Sequence, residues 1–364
     1  MRNKRKKKTI KINFRHFWGF FDPYDNFFTN MLKKDYNVII SDNPDYVFYC
    51  VFDGKKPGQS KYFAPIGKFI KSKSPSLHRL LKKIYFYKRD EWKMPVLKGN
   101  FVKIFYSSEN CRPNMNKCDW AFTYNYDEEL KNPRHLRLPG YKVDYSPLYE
   151  ELKNKKINMK QIKKEKTKFC DFVYSNHVPF RNKFFKKLNK YKKVESWGTC
   201  YNNMGQRLPG LRWIEGIDKP VLNKPRDFLK KFKFTIAFEN GEYPGYTTEK
   251  IIEPMCVNSI PIFWGNPLIH RDFNRKSFLN YYDFERDVKK IVPKIFFEIP
   301  LIDMLAKKYV QKITFKKLIK RIIEIDNNDR LYEEYLRQSW YYNNKPPKYG
   351  DDKVIRKRLR EIFG

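Results

Sequence analysis

The sequence lacks the short signatures of several common catalytic and cofactor sites. Neither GxxxxGK followed by Ser or Thr nor GxGxxG occurs, which excludes a P-loop and a dinucleotide-binding fingerprint. There is no DxD element to hold a metal–diphosphate complex, and the 6 cysteines and 5 histidines show neither CxxC nor any metal-ligand spacing. The sequence therefore gives no support for a resident metal ion.

Long apolar runs are also missing. No stretch of about eighteen apolar residues exists, so the sequence predicts no transmembrane helix. The basic start Arg2–Lys8 precedes the apolar residues 14–21, but Arg15, His16 and Asp22 spoil that segment as the core of a signal peptide. We expect a cytoplasmic protein. Whether the basic start is only solvated, contacts a membrane peripherally or directs nuclear import stays open.

The six cysteines are scattered along the chain. Cys50, Cys170 and Cys256 lie in or beside apolar runs, where a thiol behaves as a small buried apolar group. We therefore expect buried free thiols rather than disulfides, which is typical of a reducing compartment.

Positive charge is present in large excess. The chain of 364 residues has 77 lysines and arginines against 40 acidic residues, a formal net charge of +37. Such a field attracts nucleic acid, anionic membranes and anionic small molecules. No zinc-finger, RNP or basic-zipper pattern accompanies it, so we expect no specific nucleic-acid partner. With 41% hydrophobic residues, the chain can bury a substantial core and is long enough for two domains.

The most informative stretch begins and ends with short apolar runs, residues 234–238 and 260–265, which are typical of buried strands. Between them, a loop rich in Gly and Pro leads to Thr247 and Thr248, candidate N-caps of a helix that starts near Glu249. A strand, a loop, a helix and a strand in about thirty residues predict a βαβ unit with parallel strands.

The ligand of an open α/β sheet lies outside the carboxyl ends of its strands. In this unit that edge would carry Glu239, Asn240, Tyr246, Glu249 and Lys250. The N-terminus of the helix favours an anion such as a diphosphate, because its backbone N–H groups and its dipole present positive charge there. Lys250, in the first turn, would add a full positive charge.

The segment FENGEYPGYTTEK, followed by a helix and IPIFWG, resembles the donor-binding motif of the α1,3-fucosyltransferases, glycosyltransferase family 10, including its bacterial members. The matching positions are Phe238, Glu239, Asn240, Tyr246, Thr248, Glu249 and Lys250. The resemblance implies that this set binds the nucleotide sugar GDP-fucose, with Glu249 accepting hydrogen bonds from ribose hydroxyls.

A second match lies in the first half of the chain. Residues 101–107 predict a strand, and Glu109 stands just beyond its carboxyl end. The segment SSENCRPNMNKCDWA resembles a family loop that carries the catalytic base, with Trp120 where the family has tyrosine. The resemblance therefore implies that Glu109 is the base. Without it, Glu109 would be read as a capping or surface carboxylate.

A third match opens the second half. It consists of Val173, Ser175, Asn176, Arg181, Phe185 and Leu188. By this resemblance Arg181 contacts the diphosphate of the donor, with Ser175 and Asn176 beside it. A guanidinium can make a bidentate contact with phosphate oxygens that lysine cannot reproduce. Without the resemblance, Arg181 would be an ordinary arginine on a helix face.

Apolar runs that alternate with helix-compatible segments predict an α/β fold. The resemblance implies a GT-B-type arrangement of two Rossmann-like domains facing a central cleft. We expect an acceptor-side domain at residues 1–155, a donor-binding domain at 156–330 and a C-terminal helical segment at 331–364 that crosses back to the first domain. The lysine-rich residues 151–168 are interpreted as a solvated connection between the domains.

The implied reaction is inverting transfer of L-fucose from GDP-fucose to a hydroxyl of an acceptor sugar, of the N-acetyllactosamine type by resemblance. Glu109 would take the proton of the acceptor, while Arg181 and Lys250 meet the charge of the departing diphosphate. No metal is then required, although stimulation by Mn²⁺ stays open, as do the linkage (α1,3 or α1,4) and the oligomeric state.

Two alternatives remain at this point. The first is a glycosyltransferase of the same architecture with a different nucleotide-sugar donor. The second is a non-enzymatic basic protein that binds nucleic acid or an anionic membrane, with an affinity that falls steeply with salt.

Overall fold

The computed structural model describes residues 7–19, 21–52, 93–153, 155, 157–205 and 226–364. The chain forms two compact units, one of residues 1–144 with 348–364 and the other of residues 145–347. Each unit contains a parallel β-sheet, and helices follow most of the strands, which confirms the predicted α/β class.

The sheet of the first unit has six strands in the order β2-β1-β3-β4-β5-β6, and all neighbours are parallel. The strands are β1 Thr9–Arg15, β2 Asn37–Ile40, β3 Tyr46–Tyr49, β4 Val102–Ser107, β5 Trp120–Thr123 and β6 His135–Arg137. The middle strands are buried almost throughout, because helices cover both faces of a parallel sheet.

The described helices of this unit are Phe27–Lys33, Asp127–Leu130, Gly140–Val143 and Asp352–Phe363. Asn26 caps the first of them, since its Oδ1 accepts a hydrogen bond from the Thr29 N–H at 3.0 Å. This helix buries Phe28, Met31 and Leu32 in the same core as the sheet.

The last helix, Asp352–Phe363, belongs to the first unit although it ends the chain. Ile355, Leu359 and Phe363 lie in the core with residues of β1 and β3, and the ring centroids of Phe363 and Tyr46 are 4.4 Å apart. The start and the end of the chain therefore build one hydrophobic core.

Asp35 ties this helix to the rest of the unit. Its carboxylate accepts two hydrogen bonds from Arg356, at 3.0 and 2.6 Å, and one from Arg360 at 3.1 Å. The hydrogen bonds from Arg356, reinforced by Arg360, lower the pKa of Asp35 from 3.8 to about 2, against the smaller opposing effect of partial burial.

The stabilisation by Asp35 should depend on pH. Because its folded pKa is lowered, its contribution is present above the ordinary value of 3.8 and is lost as the pH falls towards about 2. We expect Asp35→Asn to melt at a lower temperature than the wild type at pH 7, and the gap to close over that acidic window. The exposed Asp42→Asn variant serves as a control; an equal gap at both pH extremes would contradict the assignment.

The sheet of the second unit has five parallel strands in the order β11-β10-β9-β7-β8. The strands are β7 Lys168–Phe172, β8 Val194–Ser196, β9 Phe232–Phe238, β10 Ile260–Trp264 and β11 Leu279–Asn280. Strand β8 lies on one side of β7 and β9 on the other, so the strand order reverses between β7 and β9.

Among the helices that the structure describes, the longest is Pro300–Asp326, which belongs to the second unit. The other described helices of this unit are Ser146–Leu152, Met159–Glu165, Pro179–Leu188, Arg226–Leu229, Glu249–Cys256, Tyr281–Lys289 and Asp329–Arg337. Short 3₁₀ turns occur at Ile269–Arg271, Arg275–Ser277, Lys294–Phe297 and Tyr342–Asn344. Phe315, Leu318 and Ile322 of the long helix enter the core of the sheet.

The compact units divide after Asp144 and after Pro347, whereas the sequence placed boundaries at 155 and 330. Helix Ser146–Leu152 falls in the second unit because it packs against helix Glu249–Cys256, where the Cys256 thiol donates to the Leu148 carbonyl at 3.7 Å. Sequence composition identifies the lysine-rich residues 151–168. It does not show that helix Ser146–Leu152 packs against a helix about one hundred residues further along the chain.

The lysine-rich residues 151–168 are not fully solvated, and that prediction is wrong. Ile162 is buried, and Lys166 is only 7% exposed. The Lys166 ammonium donates to the Val257 carbonyl at 2.8 Å and to Ser259 Oγ at 3.1 Å, and burial lowers its pKa to about 7. A lysine stem is aliphatic, so a charge run can still contribute to packing.

All six cysteines are free, as predicted, and five of them are buried while Cys256 is partly exposed. Within the described part of the chain, no helix is both long and apolar enough to cross a lipid bilayer.

Candidate functional site

The predicted strand–loop–helix–strand unit is present. Strand β9 ends at Phe238, the helix runs from Glu249 to Cys256, and β10 is parallel to β9. Thr248 occupies the N-cap position, but its side chain makes no capping hydrogen bond. Its hydroxyl lies 2.9 Å from Glu239 Oε2 instead, so Thr248 does not satisfy the N–H groups of the first helical turn.

Two loops flank the point where the strand order reverses. The loop after β7 carries Ser175 and Asn176, and the loop after β9 begins with Glu239 and Asn240. Both leave the carboxyl ends of neighbouring strands, the position at which open α/β sheets bind their ligands. The fold thus brings together two predicted sets of residues from distant parts of the sequence.

Arg181 joins these two loops. Its Nη1 donates to the Phe238 carbonyl at 3.1 Å and to Asn240 Oδ1 at 3.2 Å, and its Nη2 donates to the Asn176 carbonyl at 2.6 Å. The side chain is completely buried. One guanidinium therefore fixes the distance between the ends of β7 and β9.

The ring of Tyr174 stacks against the same guanidinium. The Arg181 Cζ lies 3.5 Å from the centroid of the tyrosine ring, and the tyrosine hydroxyl donates to the Ile236 carbonyl at 2.6 Å. Burial lowers the pKa of Arg181, although an arginine remains charged at any physiological pH. A positive charge is therefore held at the reversal point by stacking and by carbonyl acceptors.

Lys250 lies in the first turn of the helix and is surrounded by oxygen atoms. Its Nζ is 2.9 Å from Thr248 Oγ1, 3.2 Å from Glu239 Oε2 and 3.4 Å from Glu249 Oε1. The Thr248 N–H donates to Glu239 Oε1 at 2.8 Å, which fixes the buried carboxylate. Glu239 therefore holds Lys250 in place at the helix N-terminus.

The two buried groups of this pair affect each other's ionisation. Burial lowers the pKa of Lys250, but the carboxylates of Glu239 and Glu249 outweigh it and raise that pKa above its usual range. Burial also raises the pKa of Glu239, and the charge of Lys250 opposes that shift. Lys250 is thus a permanent cation at neutral pH.

Sequence reasoning missed the residues that shape the loop after β9. Asn266 is buried; its Oδ1 accepts from the Gly245 N–H at 2.7 Å, and its Nδ2 donates to Thr247 Oγ1 at 3.2 Å. The Gly265 carbonyl accepts the Tyr282 hydroxyl at 2.9 Å. The dipeptide Gly–Asn directly after a predicted strand was the available signal, since it places a polar side chain at the carboxyl edge.

Gly265 has no room for a side chain. Its φ is +154°, and a Cβ atom there would lie 2.4 Å from Glu239 Cγ and 2.6 Å from Glu239 Cβ. We expect Gly265→Ala to displace Glu239 and with it Lys250, lowering stability by about 1–3 kcal/mol. Thermal melting measures the effect, with Gly19→Ala, which meets no atom within 4 Å, as the control. Equal melting temperatures for the two variants would contradict this packing.

The remaining predicted donor residues lie around the same edge. Tyr246 is buried in the loop, and Glu249 is the first residue of the helix and partly exposed. Ser175 and Asn176 are exposed. The structure therefore places every predicted donor residue at the carboxyl edge of the second sheet.

Glu109 belongs to the first unit. It follows β4, and its N–H donates to Ser107 Oγ at 3.2 Å, while the Ser107 hydroxyl donates to the Glu109 carbonyl at 3.0 Å. Its side chain is partly exposed at the carboxyl edge of the first sheet. This is the position in which the sequence predicted it.

Among the residues that the structure describes, no group of three or more His, Cys, Asp or Glu side chains is arranged to hold a metal ion. At the carboxyl edge of the second sheet, the structure places two cations, Arg181 and Lys250, beside the N-terminus of helix Glu249–Cys256.

Comparison with known protein families matches both units. Residues 163–296 match the model of "Glycosyltransferase family 10 (fucosyltransferase) C-term", and residues 12–63 and 81–144 match that of the "Alpha-(1,3)-fucosyltransferase FucT N-terminal domain". The chain belongs to glycosyltransferase family 10. Arg181 and Lys250 lie within the first match, and Glu109 lies within the second.

Two curated family 10 relatives show how far the similarity extends. The alpha-(1,3)-fucosyltransferase FucT of Helicobacter pylori is 31% identical over 278 residues, which cover 65% of this chain and 55% of that protein. Alpha-(1,3)-fucosyltransferase B of Drosophila melanogaster is 36% identical over 112 residues, covering 29% of this chain and 23% of that protein. The chain thus spans about half or less of the length of these relatives.

A crystal structure of an alpha1,3-fucosyltransferase with GDP-fucose superposes with a TM-score of 0.61 at 22% identity, over all of this chain and 92% of that one. The likeness confirms the predicted GT-B-type α/β fold of this family 10 member.

Proposed function

We propose that the protein transfers L-fucose from GDP-fucose to a hydroxyl group of an acceptor sugar. The observation that carries the proposal is the cationic cluster at the carboxyl edge of the second sheet, where Arg181 and Lys250 flank the start of a helix that Thr248 does not cap. The family match and the relatives named fucosyltransferases support fucose as the transferred sugar.

In this proposal the diphosphate of the donor binds at the start of helix Glu249–Cys256. Lys250 meets its negative charge directly, and Arg181 adds a second positive charge while it holds Asn176 and Asn240 in place. These groups are fixed before the reaction, so they can stabilise the charge that develops on the leaving GDP without reorganisation. Glu239 contributes through Lys250, which it positions.

Tyr246, Glu249, Ser175 and Asn176 are proposed to hold the nucleoside and the sugar of the donor. Glu249 is the candidate acceptor for the ribose hydroxyls, because its carboxylate is partly exposed at the start of the helix. No metal ion is required in this scheme, since protein cations and a helix N-terminus neutralise the diphosphate.

We further propose an inverting reaction with Glu109 as general base. Attack by a sugar hydroxyl requires removal of its proton, and a carboxylate at a strand end can take it once the acceptor is bound. The proposed linkage is α1,3 and the proposed acceptor is of the N-acetyllactosamine type, in line with the names of the relatives for the linkage and with the family resemblance for the acceptor.

A transfer assay tests the proposal. The purified protein is incubated with GDP-fucose and a panel of acceptors that includes N-acetyllactosamine, lactose and N-acetylglucosamine, and NMR of the product identifies the linkage and the anomeric configuration. GDP-mannose and UDP-sugars serve as alternative donors. Transfer from GDP-fucose with inversion is expected; turnover only with another donor, or salt-sensitive DNA binding without any donor use, would overturn the proposal.

A further inference from the structure

The exposed hydrophobic side chains of the second unit are concentrated in one segment. Seven of the twelve exposed large hydrophobic residues among the described part of the chain lie between positions 291 and 309. They are Ile291, Ile295, Phe296, Ile299, Met304, Leu305 and Tyr309. Large exposed apolar areas of soluble proteins commonly mark contacts with a partner or a membrane, so this concentration makes the segment a candidate for such a contact.

This segment has an inner and an outer side. Val288, Val292, Ala306 and Val310 form a small buried cluster that joins the end of helix Tyr281–Lys289 to the start of helix Pro300–Asp326. Leu305 and Tyr309 are one helical turn apart, as are Met304 and Lys308, and all four are exposed. The exposed apolar residues are therefore outside this buried cluster, which packs the two helices together without them.

Lysines surround the same outer side. Residues 288–312 contain six lysines and two carboxylates, Glu298 and Asp303. Asp303 is paired with Lys307 at 2.8 Å. Lys294, Lys308 and Lys312 are exposed and form no ion pair among the described residues. The outer side thus combines apolar groups with uncompensated positive charge.

We propose that residues 288–312 form a docking surface for an anionic phospholipid bilayer. Aromatic and aliphatic side chains would enter the boundary between headgroups and acyl chains while the lysines contact lipid phosphates, the arrangement of interfacial amphipathic helices. The helix lies on the membrane rather than across it, since no described helix is apolar enough to span one.

The positive charge of this segment favours an anionic membrane over a second copy of this chain as the binding partner. A symmetric dimer would place the same patch on both sides of the interface and bring like-charged lysines together. The net charge of +37 adds to that repulsion. An anionic surface, in contrast, is attracted by the lysines of the segment and by the net charge of the chain. This proposal does not depend on the catalytic activity.

Co-sedimentation with vesicles tests it. Wild-type protein is mixed with vesicles of phosphatidylcholine alone or of phosphatidylcholine and phosphatidylglycerol in equal parts. Binding is expected only to the anionic vesicles.

Two triple variants test the lysines and the apolar residues separately. One variant combines Lys294→Glu, Lys308→Glu and Lys312→Glu, and a second combines Phe296→Ser, Leu305→Ser and Tyr309→Ser. Each lysine near a surface contributes about fivefold to the affinity, so the first variant should lose at least about a hundredfold. The second should lose at least about tenfold.

A matched control changes the same charge elsewhere. Lys183→Glu, Lys187→Glu and Lys190→Glu alter three exposed lysines of helix Pro179–Leu188 and the residues after it. This control should keep most of the binding. An equal loss in the control would mean that total charge alone drives binding and would overturn the proposal, as would absence of binding. A change in sedimentation velocity caused by the apolar variant, without vesicle binding, would identify a second copy as the occupant instead.

A second measurement does not depend on the multiple variants folding. An environment-sensitive dye attached at Tyr309→Cys should shift its emission to shorter wavelength when anionic vesicles are added, because the site enters the lipid interface. The same dye at Tyr24→Cys, on the first unit and 63% exposed, should not shift. Equal responses at the two positions would contradict the proposal.

Discussion

Replacement of Glu109 by glutamine is expected to lower the turnover of fucose transfer by about 10²–10⁴-fold, the usual contribution of a general base. Glutamine keeps the size and the backbone contacts with Ser107 but cannot take a proton. The KM for GDP-fucose should stay close to that of the wild type, because Glu109 lies in the first unit and the proposed donor cluster lies in the second. Steady-state kinetics with the acceptor that works best measures both constants.

The control for this variant is Glu129→Gln, an exposed glutamate of the same unit in helix Asp127–Leu130. It should retain wild-type turnover. Turnover within a factor of about two of the wild type for Glu109→Gln itself would remove Glu109 from the mechanism.

Removal of the Lys250 charge should have two separate effects. Lys250→Met leaves Glu239 buried without its partner at 3.2 Å, which should lower the stability by about 3–5 kcal/mol. It also removes a charge aimed at the leaving diphosphate, which should lower turnover by about 10²–10³-fold. Thermal melting measures the loss of stability, and a transfer assay run below the melting temperature of the variant measures the loss of turnover.

A double variant separates the two roles. Lys250→Met combined with Glu239→Gln removes both charges of this pair, and the glutamine oxygen can still accept from the Thr248 N–H. Its stability should recover most of the loss, while its turnover should remain low. If turnover recovers together with stability, Lys250 acts only as the partner of Glu239 and does not contact the diphosphate.

Much of the second unit was predictable because its signals are local. Four of the five residues at 234–238 are β-branched or aromatic, the loop contains Gly and Pro, and Thr248 precedes the helix. Each boundary therefore follows from residues that are close together along the chain. The same holds for β4 and the position of Glu109 at its end. Family resemblance then grouped residues that the fold indeed places along one sheet edge.

Sequence reasoning did not anticipate the burial of polar and charged side chains whose hydrogen-bond partners lie outside their own local segment. Strand β6, His135–Arg137, contains two charged or polar residues, yet all three of its side chains are buried. His135 Nδ1 lies 2.7 Å from Asp127 Oδ1 and its Nε2 lies 2.9 Å from Thr123 Oγ1, and such pairings leave no mark in a local pattern. Lys166 is a similar case, since its buried ammonium depends on acceptors about ninety residues away.

Arg181 illustrates the limit for the site itself. Its side chain was predicted to contact a phosphate, and the resemblance could not indicate that its guanidinium also makes three hydrogen bonds, one each to Asn176, Phe238 and Asn240. Only the strand order, which reverses between β7 and β9, explains why one arginine can reach both loops. Direct contact with the diphosphate stays a prediction.

The central claim is that the second unit binds the diphosphate of a guanine nucleotide with fixed protein charges and no metal. Isothermal titration calorimetry of the full chain with GDP in the presence of EDTA tests it most directly, with guanosine and with the Lys250→Met, Glu239→Gln double variant as comparisons. The account predicts binding of GDP by the wild type, at least about tenfold weaker binding by the double variant, and weak or no binding of guanosine. Binding of GDP only after addition of a divalent metal, or equal affinity of the double variant and the wild type, would contradict it.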